Sequence, residues 1–87
     1  MKSFHHASRR IHAERLNQHK KWAGTLGDCC HPRTPLEHKM TILMEEVGEL
    51  AKAILEEKPL EIYLEAVQTA AVAHAIVESL VQEETVL

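Results

Sequence analysis

The run "AVQTAAVAHAIV", from Ala66 to Val77, constrains this chain more than any other part of it. It carries no charge, and its alanines favour a helix. A helix that is apolar on all sides has to be covered on several of them. At 87 residues the chain is one small domain. A chain of that size buries only a little over roughly 60% of its unfolded surface, so its own core is marginal. Two further helices from the same chain are too few to cover such a segment. The expectation is an all-α fold whose helical core is completed as a bundle by a second copy, as a homodimer or a dimer of dimers. The apolar fraction of 45%, nearly all Ala, Val, Leu and Ile with one Phe, one Tyr and one Trp, suits close helix packing.

Three helices are predicted and no strand. The first runs from about Ser3 to Trp22 and ends in "AGTLGDCCHPRTP", where Gly24, Gly27, Asp28, Pro32 and Pro35 supply turn chemistry. The second opens on "TPLE". Thr34 is its candidate N-cap, Pro35 its first helical residue and Glu37 the third position of a capping box, and it continues to about Glu57. The third opens on "KPLE" and runs to about Gln82, so the short connection makes the second and third helices an antiparallel hairpin. The single domain spans residues 1–87, with a basic helix and loop over 1–33 and the hairpin over 34–87.

Charge divides along the same boundary. Residues 1–33 hold Lys2, Arg9, Arg10, Arg15, Lys20, Lys21 and Arg33 against Glu14 and Asp28. Residues 34–87 hold eleven glutamates against Lys39, Lys52 and Lys58. A basic arm beside an acidic body suits an anion that also carries a metal, or two solvated surfaces that attract weakly. The net charge of −3 and the lack of a helix-turn-helix pattern count against nucleic acid as a partner. No stretch approaches the roughly 20 apolar residues that cross a membrane, and no signal-peptide segment precedes "SFHHASRRIH". The expected setting is cytoplasmic, where the adjacent Cys29 and Cys30 stay thiols.

On the second helix, Leu36, Met40, Leu43, Val47, Leu50, Ala51 and Ile54 share one side by helical spacing, and His38, Glu45, Glu49, Lys52 and Glu56 lie opposite. Glu46 sits beside that charged stripe. Taken alone, such a stripe is an ordinary solvated face. The third helix adds Glu65 at the edge of its charge-free segment, with Gln68 one turn later and Glu61 and Ser79 on the same side. Closing the hairpin brings Glu65 towards Glu46 and Glu49. Carboxylates converging there repel unless a cation sits among them, and hard divalent ions, Mg²⁺ or Mn²⁺, take oxygen ligands.

The pattern Glu45-Glu46-x-x-Glu49 followed by Glu65-x-x-Gln68 resembles the signature of the MazG-like, all-α nucleoside triphosphate pyrophosphohydrolases, as found in short phage and bacterial members. The resemblance covers Leu36 to Leu80, is most specific in "EEVGELAKAI", and extends weakly through "RLNQHKKWAG" and "HP". It implies Mg²⁺-dependent cleavage of a (d)NTP between its α- and β-phosphates, giving a (d)NMP and pyrophosphate, in nucleotide-pool house-cleaning. It also implies work as a dimer or dimer of dimers. By that likeness Glu46, Glu49 and Glu65 are metal ligands, and Glu45 is a ligand or orients the attacking water. The chain departs at Gln68, where the motif has Asp, and an amide oxygen ligates without bringing charge.

Basic and aromatic groups for the substrate are expected from the first helix, where Phe4, Ile11, Arg15, Gln18 and Trp22 share a face. Arg15 and Gln18 would contact phosphate and base and Trp22 would stack; the same spacing also serves plain packing with Arg15 snorkelling. Lys52 is a further phosphate candidate or an ion-pair partner. Cys29, Cys30, His31 and His38 are zinc-ligand types without the spacing of a zinc module. His5, His6, His12 and His19 fit a polar helix surface, and His74 fits a hydrogen-bonded core or interface histidine. The alternative function is a non-catalytic helical oligomer that binds nucleotide, metal or protein.

Overall fold

The computed structural model describes residues 1–25 and 27–82. It is all-helical: α1 (Lys2–Trp22), α2 (Leu36–Leu55) and α3 (Pro59–Gln82), with no strand among the described residues. α3 is the central element. It packs against both α1 and α2, and those two do not pack on each other. A cleft therefore lies between α1 and α2, with α3 as its floor.

The core is made of small side chains. Cys29, Cys30, Ala53, Ala71, Val72 and Ala75 are the buried apolar residues, with Ile42, Leu43 and Ile76 packed around them. The radius of gyration of 13.5 Å exceeds the ~12 Å of a compact chain of this length, as an open cleft requires.

Polar groups are buried where large apolar ones are not. Along α2, the residues turned to α3 include Lys39, Ile42, Glu46 and Ala53, each less than about a third exposed. Lys39 Nζ donates to Ser79 Oγ at 2.7 Å, and Ser79 Oγ donates to the Ile76 carbonyl at 2.7 Å. The apolar stripe of α2 is split: Leu43 packs on the core and Leu50 is half-buried, whereas Leu36 is 61% exposed, Met40 56%, Val47 38% and Ile54 52%. Tyr63, Val77 and Val81 of α3 are exposed too. Tyr63 stands beside α1, where its hydroxyl accepts from Arg10 Nε at 2.9 Å. α3 also meets the length and composition of a membrane-crossing helix, with mean hydropathy 1.3 over its most apolar window. This differs from the sequence expectation, because Ala, Val, Leu and Ile outweigh the two or fewer glutamates in that 18-residue window. Only 28% of that window is buried within the chain.

The start of α2 corrects the capping box. Pro35 is the N-cap and no side chain caps the helix. Thr34 is buried, and its Oγ1 donates to the Asp28 carbonyl at 3.0 Å. Glu37 is exposed. The Asp28 carbonyl captures the hydroxyl because the loop folds over it: Asp28 Oδ1 takes the Cys30 N–H at 3.1 Å and Oδ2 takes that of Gly24 at 3.4 Å. The α2–α3 turn is a Schellman motif. Lys58 N donates to the Ala53 carbonyl at 3.2 Å and Glu57 N to that of Ile54 at 3.1 Å. Glu57 takes the left-handed position, φ 54°, that glycine usually fills.

Candidate metal centre

Three carboxylates meet where α2 crosses the first half of α3. One oxygen each from Glu46, Glu49 and Glu65 lies within 4.8 Å of the others. Glu46 and Glu49 are neighbours on α2 by their three-residue spacing, and the tight turn brings Glu65 back to the same level. They are the one group of three possible metal ligands among the described residues. Glu46 Oε2 and Glu65 Oε2 are buried without a hydrogen-bond partner. No ion pair among the described residues reaches the three.

Their electrostatics follow from this crowding. Burial pushes the Glu46 carboxyl up to about 7, helped by the charges of Glu49 and Glu65. Burial raises Glu65 as well, with Glu49 beside it as the next cause. Two buried oxygens without a partner, beside a third carboxylate, leave the cluster's negative charge uncompensated among the described residues. The donor set, all oxygen and acidic, fits Mg²⁺ or Mn²⁺ and not a soft metal.

Around the carboxylates lie two concave surfaces of the cleft. A narrow slot of about 180 Å³ is lined by Arg15, Gln18 and Trp22 of α1, Gly27, Asp28 and Cys29 of the loop, Ile42, Glu45 and Glu46 of α2, and Val72 and Ala75 of α3. A wider vestibule of about 580 Å³ adjoins it, where Glu14, Asn17, Lys20, Lys21 and Gln68 join Gln18, Trp22 and Glu46. Gln68 thus opens on the same space as Glu46. Glu45 is exposed at the rim of the slot. Lys52 is exposed and shares a separate hollow with Glu49, Glu65, Glu56 and Lys58, away from α1.

Arg15 and Gln18 both reach the cleft, and both already have partners. Arg15 is buried, and its Nε and Nη2 donate to the two oxygens of Glu78 at 2.9 and 3.1 Å. Gln18 Nε2 donates to the Gln68 carbonyl at 3.4 Å. Glu78 also accepts from Cys30 Sγ at 3.0 Å and pairs with His74 Nδ1 at 2.7 Å. Burial alone would raise the Glu78 carboxyl, but its bonds to Cys30 and Arg15 hold it below the usual carboxylate range. The pair is 63 residues apart in sequence, so no local pattern announced it. His74 is exposed and pairs with Glu78 rather than packing in the core. Cys29 and Cys30 are core residues whose thiols burial pushes up, while His31 is exposed and accepts the Arg33 N–H. His5, His6, His12 and His19 are exposed on α1.

Trp22 rests on bare backbone. A Cβ on Gly27 would stand 2.8 Å from the Trp22 ring, and Lys21 Nζ lies 4.9 Å from the centre of that ring. The importance of Gly27 was missed from sequence, where it read only as turn chemistry. Compared with family models, curated proteins and solved structures, the chain matches none.

Proposed function

We propose that this chain is a Mg²⁺-dependent nucleoside triphosphate pyrophosphohydrolase of the MazG-like kind, acting as a homo-oligomer in the cytoplasm. The observation that carries the reading is the pair of buried, unpartnered oxygens of Glu46 and Glu65 within a three-carboxylate cluster at the edge of an open cleft. Glu46, Glu49 and Glu65 would hold the ion, with Gln68 as a neutral contributor from the next turn. When bound, the ion would neutralise phosphate charge and lower the pKa of water. Glu45, at the slot rim, would orient a water by accepting its hydrogen bond. Lys20 and Lys21 line the vestibule and would meet phosphates from the side opposite the glutamates. Arg15, tied up by Glu78, would shape the floor and offer at most its remaining N–H groups. Lys52 lies in the hollow on the far side of the glutamates, where pairing with Glu49 or Glu56 suits it better than phosphate contact.

The exposed apolar stripes of α2 and α3 support self-association. A second copy set against Met40, Val47 and Ile54 of α2 would cover residues that line neither the slot nor the vestibule.

The reading is tested by pyrophosphate release over a panel of NTPs and dNTPs with Mg²⁺ and Mn²⁺, alongside calorimetry of metal binding. Release of pyrophosphate that is lost in Glu49→Gln and Glu65→Gln is the expected result. Unchanged metal affinity in both variants would return the glutamates to a solvated face. Gln68→Asp should tighten Mg²⁺ binding, since attraction scales with the charge product; unchanged affinity would remove Gln68 from the site.

A further inference from the structure

We propose that the open groove between the first halves of α1 and α3 is an interface whose occupant is the α2–α3 turn of a second copy of this chain. The contact is separate from the exposed Met40, Val47 and Ile54 of α2, and it does not rest on the nucleotide reading. The groove measures about 670 Å³ and shares no lining residue with the slot or the vestibule. Its apolar lining comes from Ala7 and Ile11 of α1 and from Tyr63, Ala66 and Val67 of α3. Lys2, Arg9 and Arg10 also line it, and no acidic residue does. Arg10 is engaged within the chain, through its bond to the Tyr63 hydroxyl. No ion pair among the described residues takes up Lys2 or Arg9.

The matching surface lies on the same molecule. Leu55 is 83% exposed and Leu60 69%, and among the described large apolar side chains only Met1 stands further out. Turn chemistry calls for polar residues and proline, not for two leucines at its rim, and apolar groups left exposed together mark a contact surface. Around them lie Glu56, Glu57 and Glu61, against the one cation Lys58, which pairs with Glu56 at 3.1 Å and Glu61 at 3.9 Å. The turn is therefore an apolar knob with excess negative charge, and the groove an apolar hollow with positive charge and no acid. Each supplies what the other lacks. The exposure of Leu55 and Leu60 shows that the turn does not fill the groove of its own chain. Leu60 and Ala66 are about 9 Å apart along α3, so knob and groove adjoin on every copy. A two-fold axis beside the start of α3 would seat each turn in the other's groove, a self-complementary contact made twice.

Cross-linking between two variants of the whole chain tests it. Ala7→Cys puts a thiol in the groove and Leu55→Cys one on the turn; both positions are exposed, whereas the native Cys29 and Cys30 are buried. The two variants are mixed, left to exchange subunits and mildly oxidised. A disulfide between the residue-7 peptide of one and the residue-55 peptide of the other, identified by peptide mapping, necessarily joins two copies. Its yield should exceed that of any link in either variant alone, or in the parent, by about tenfold or more. No such link, or equal linking in the controls, overturns the proposal. Sedimentation reads the contact without added thiols. Leu55→Ala combined with Leu60→Ala, both at exposed sites, should weaken self-association about tenfold or more while circular dichroism stays that of the parent. Arg9→Glu should weaken it too, and adding Glu57→Arg to that variant should recover affinity. Association as tight as the parent's in the leucine and Arg9→Glu variants would mean that the copies meet elsewhere and that the groove serves another partner, which overturns the proposal, as does a parent that sediments as a compact monomer. Val47→Glu, on the separate α2 surface, should leave the disulfide link in place; loss of the link there overturns the claim of a distinct contact.

Discussion

Replacing Glu46 by Gln should stabilise the metal-free protein at pH 8 and leave it unchanged at pH 4.5. In the folded chain this carboxyl ionises at about 7 instead of 4.5, because burial and the charges of Glu49 and Glu65 oppose its negative form. A raised value means that the favourable, protonated state is fully present below about 4.5. Stability is then lost as pH climbs through 7, and the loss levels off above it. Each pH unit between the two values corresponds to about 1.4 kcal/mol, so the ceiling is about 3 kcal/mol. Glu46 is partly exposed and solvent screens the repulsion, so about 1–2 kcal/mol is the expected effect. Glu78, held low by Arg15 and Cys30, works in the opposite direction. Its contribution is lost only as pH falls below the ordinary carboxylate range, outside the window. Urea unfolding of both proteins at one fixed concentration, with chelator, at pH 5, 6, 7 and 8 measures the difference; comparing them cancels the titration of the seven histidines. Adding Mn²⁺ or Mg²⁺ at pH 8 should recover the lost stability in the parent and less of it in the variant. A pH-independent difference between the two proteins would refute the reasoning, since it would mean that Glu46 ionises as freely folded as unfolded.

Glu57→Gly should raise stability by about 0.5–1 kcal/mol in thermal or urea unfolding, because it relieves a side chain held at positive φ. Glu78→Gln leaves Arg15 buried against a neutral amide; partial exposure of Glu78 moderates the roughly 3–5 kcal/mol of a fully buried broken pair to about 2, read in the same assay. Val47→Glu, in the outward stripe of α2, should weaken self-association about tenfold or more in sedimentation, by loss of an apolar contact worth about 1.5 kcal/mol; a parent protein that sediments as a compact monomer would sink this.

Much of this architecture was legible in order of sequence distance. The α2–α3 hairpin could be read because Pro59 and the charge-free segment fix where α3 begins and what it must do. The carboxylate cluster could be read because three-residue spacing and one tight turn bring Glu46, Glu49 and Glu65 together. Thr34 misled because its competing acceptor, the Asp28 carbonyl, is reached only through the fold of the loop. The partners of Arg15 and Lys39 lie 63 and 40 residues away, and periodicity carries no information at that range. The apolar stripe of α2 was visible as a stripe, but its direction was not. Spacing alone does not say that Lys39 and Glu46 would turn towards α3 while Met40 and Val47 turned out.

That α1 leans on α3 alone has a consequence for how the molecule comes into being. As the chain emerges from N- to C-terminus, α1 is made before α3 and lacks the helix it packs on until α3 is complete. The hairpin needs only neighbouring segments and closes early, whereas docking α1 means closing a loop of some fifty residues, the slower step. Arg15 then waits for Glu78, and Gln18 for the Gln68 carbonyl. The carboxylates can gather before the wall that faces them is in place, and the cleft is the last part of the molecule to be assembled.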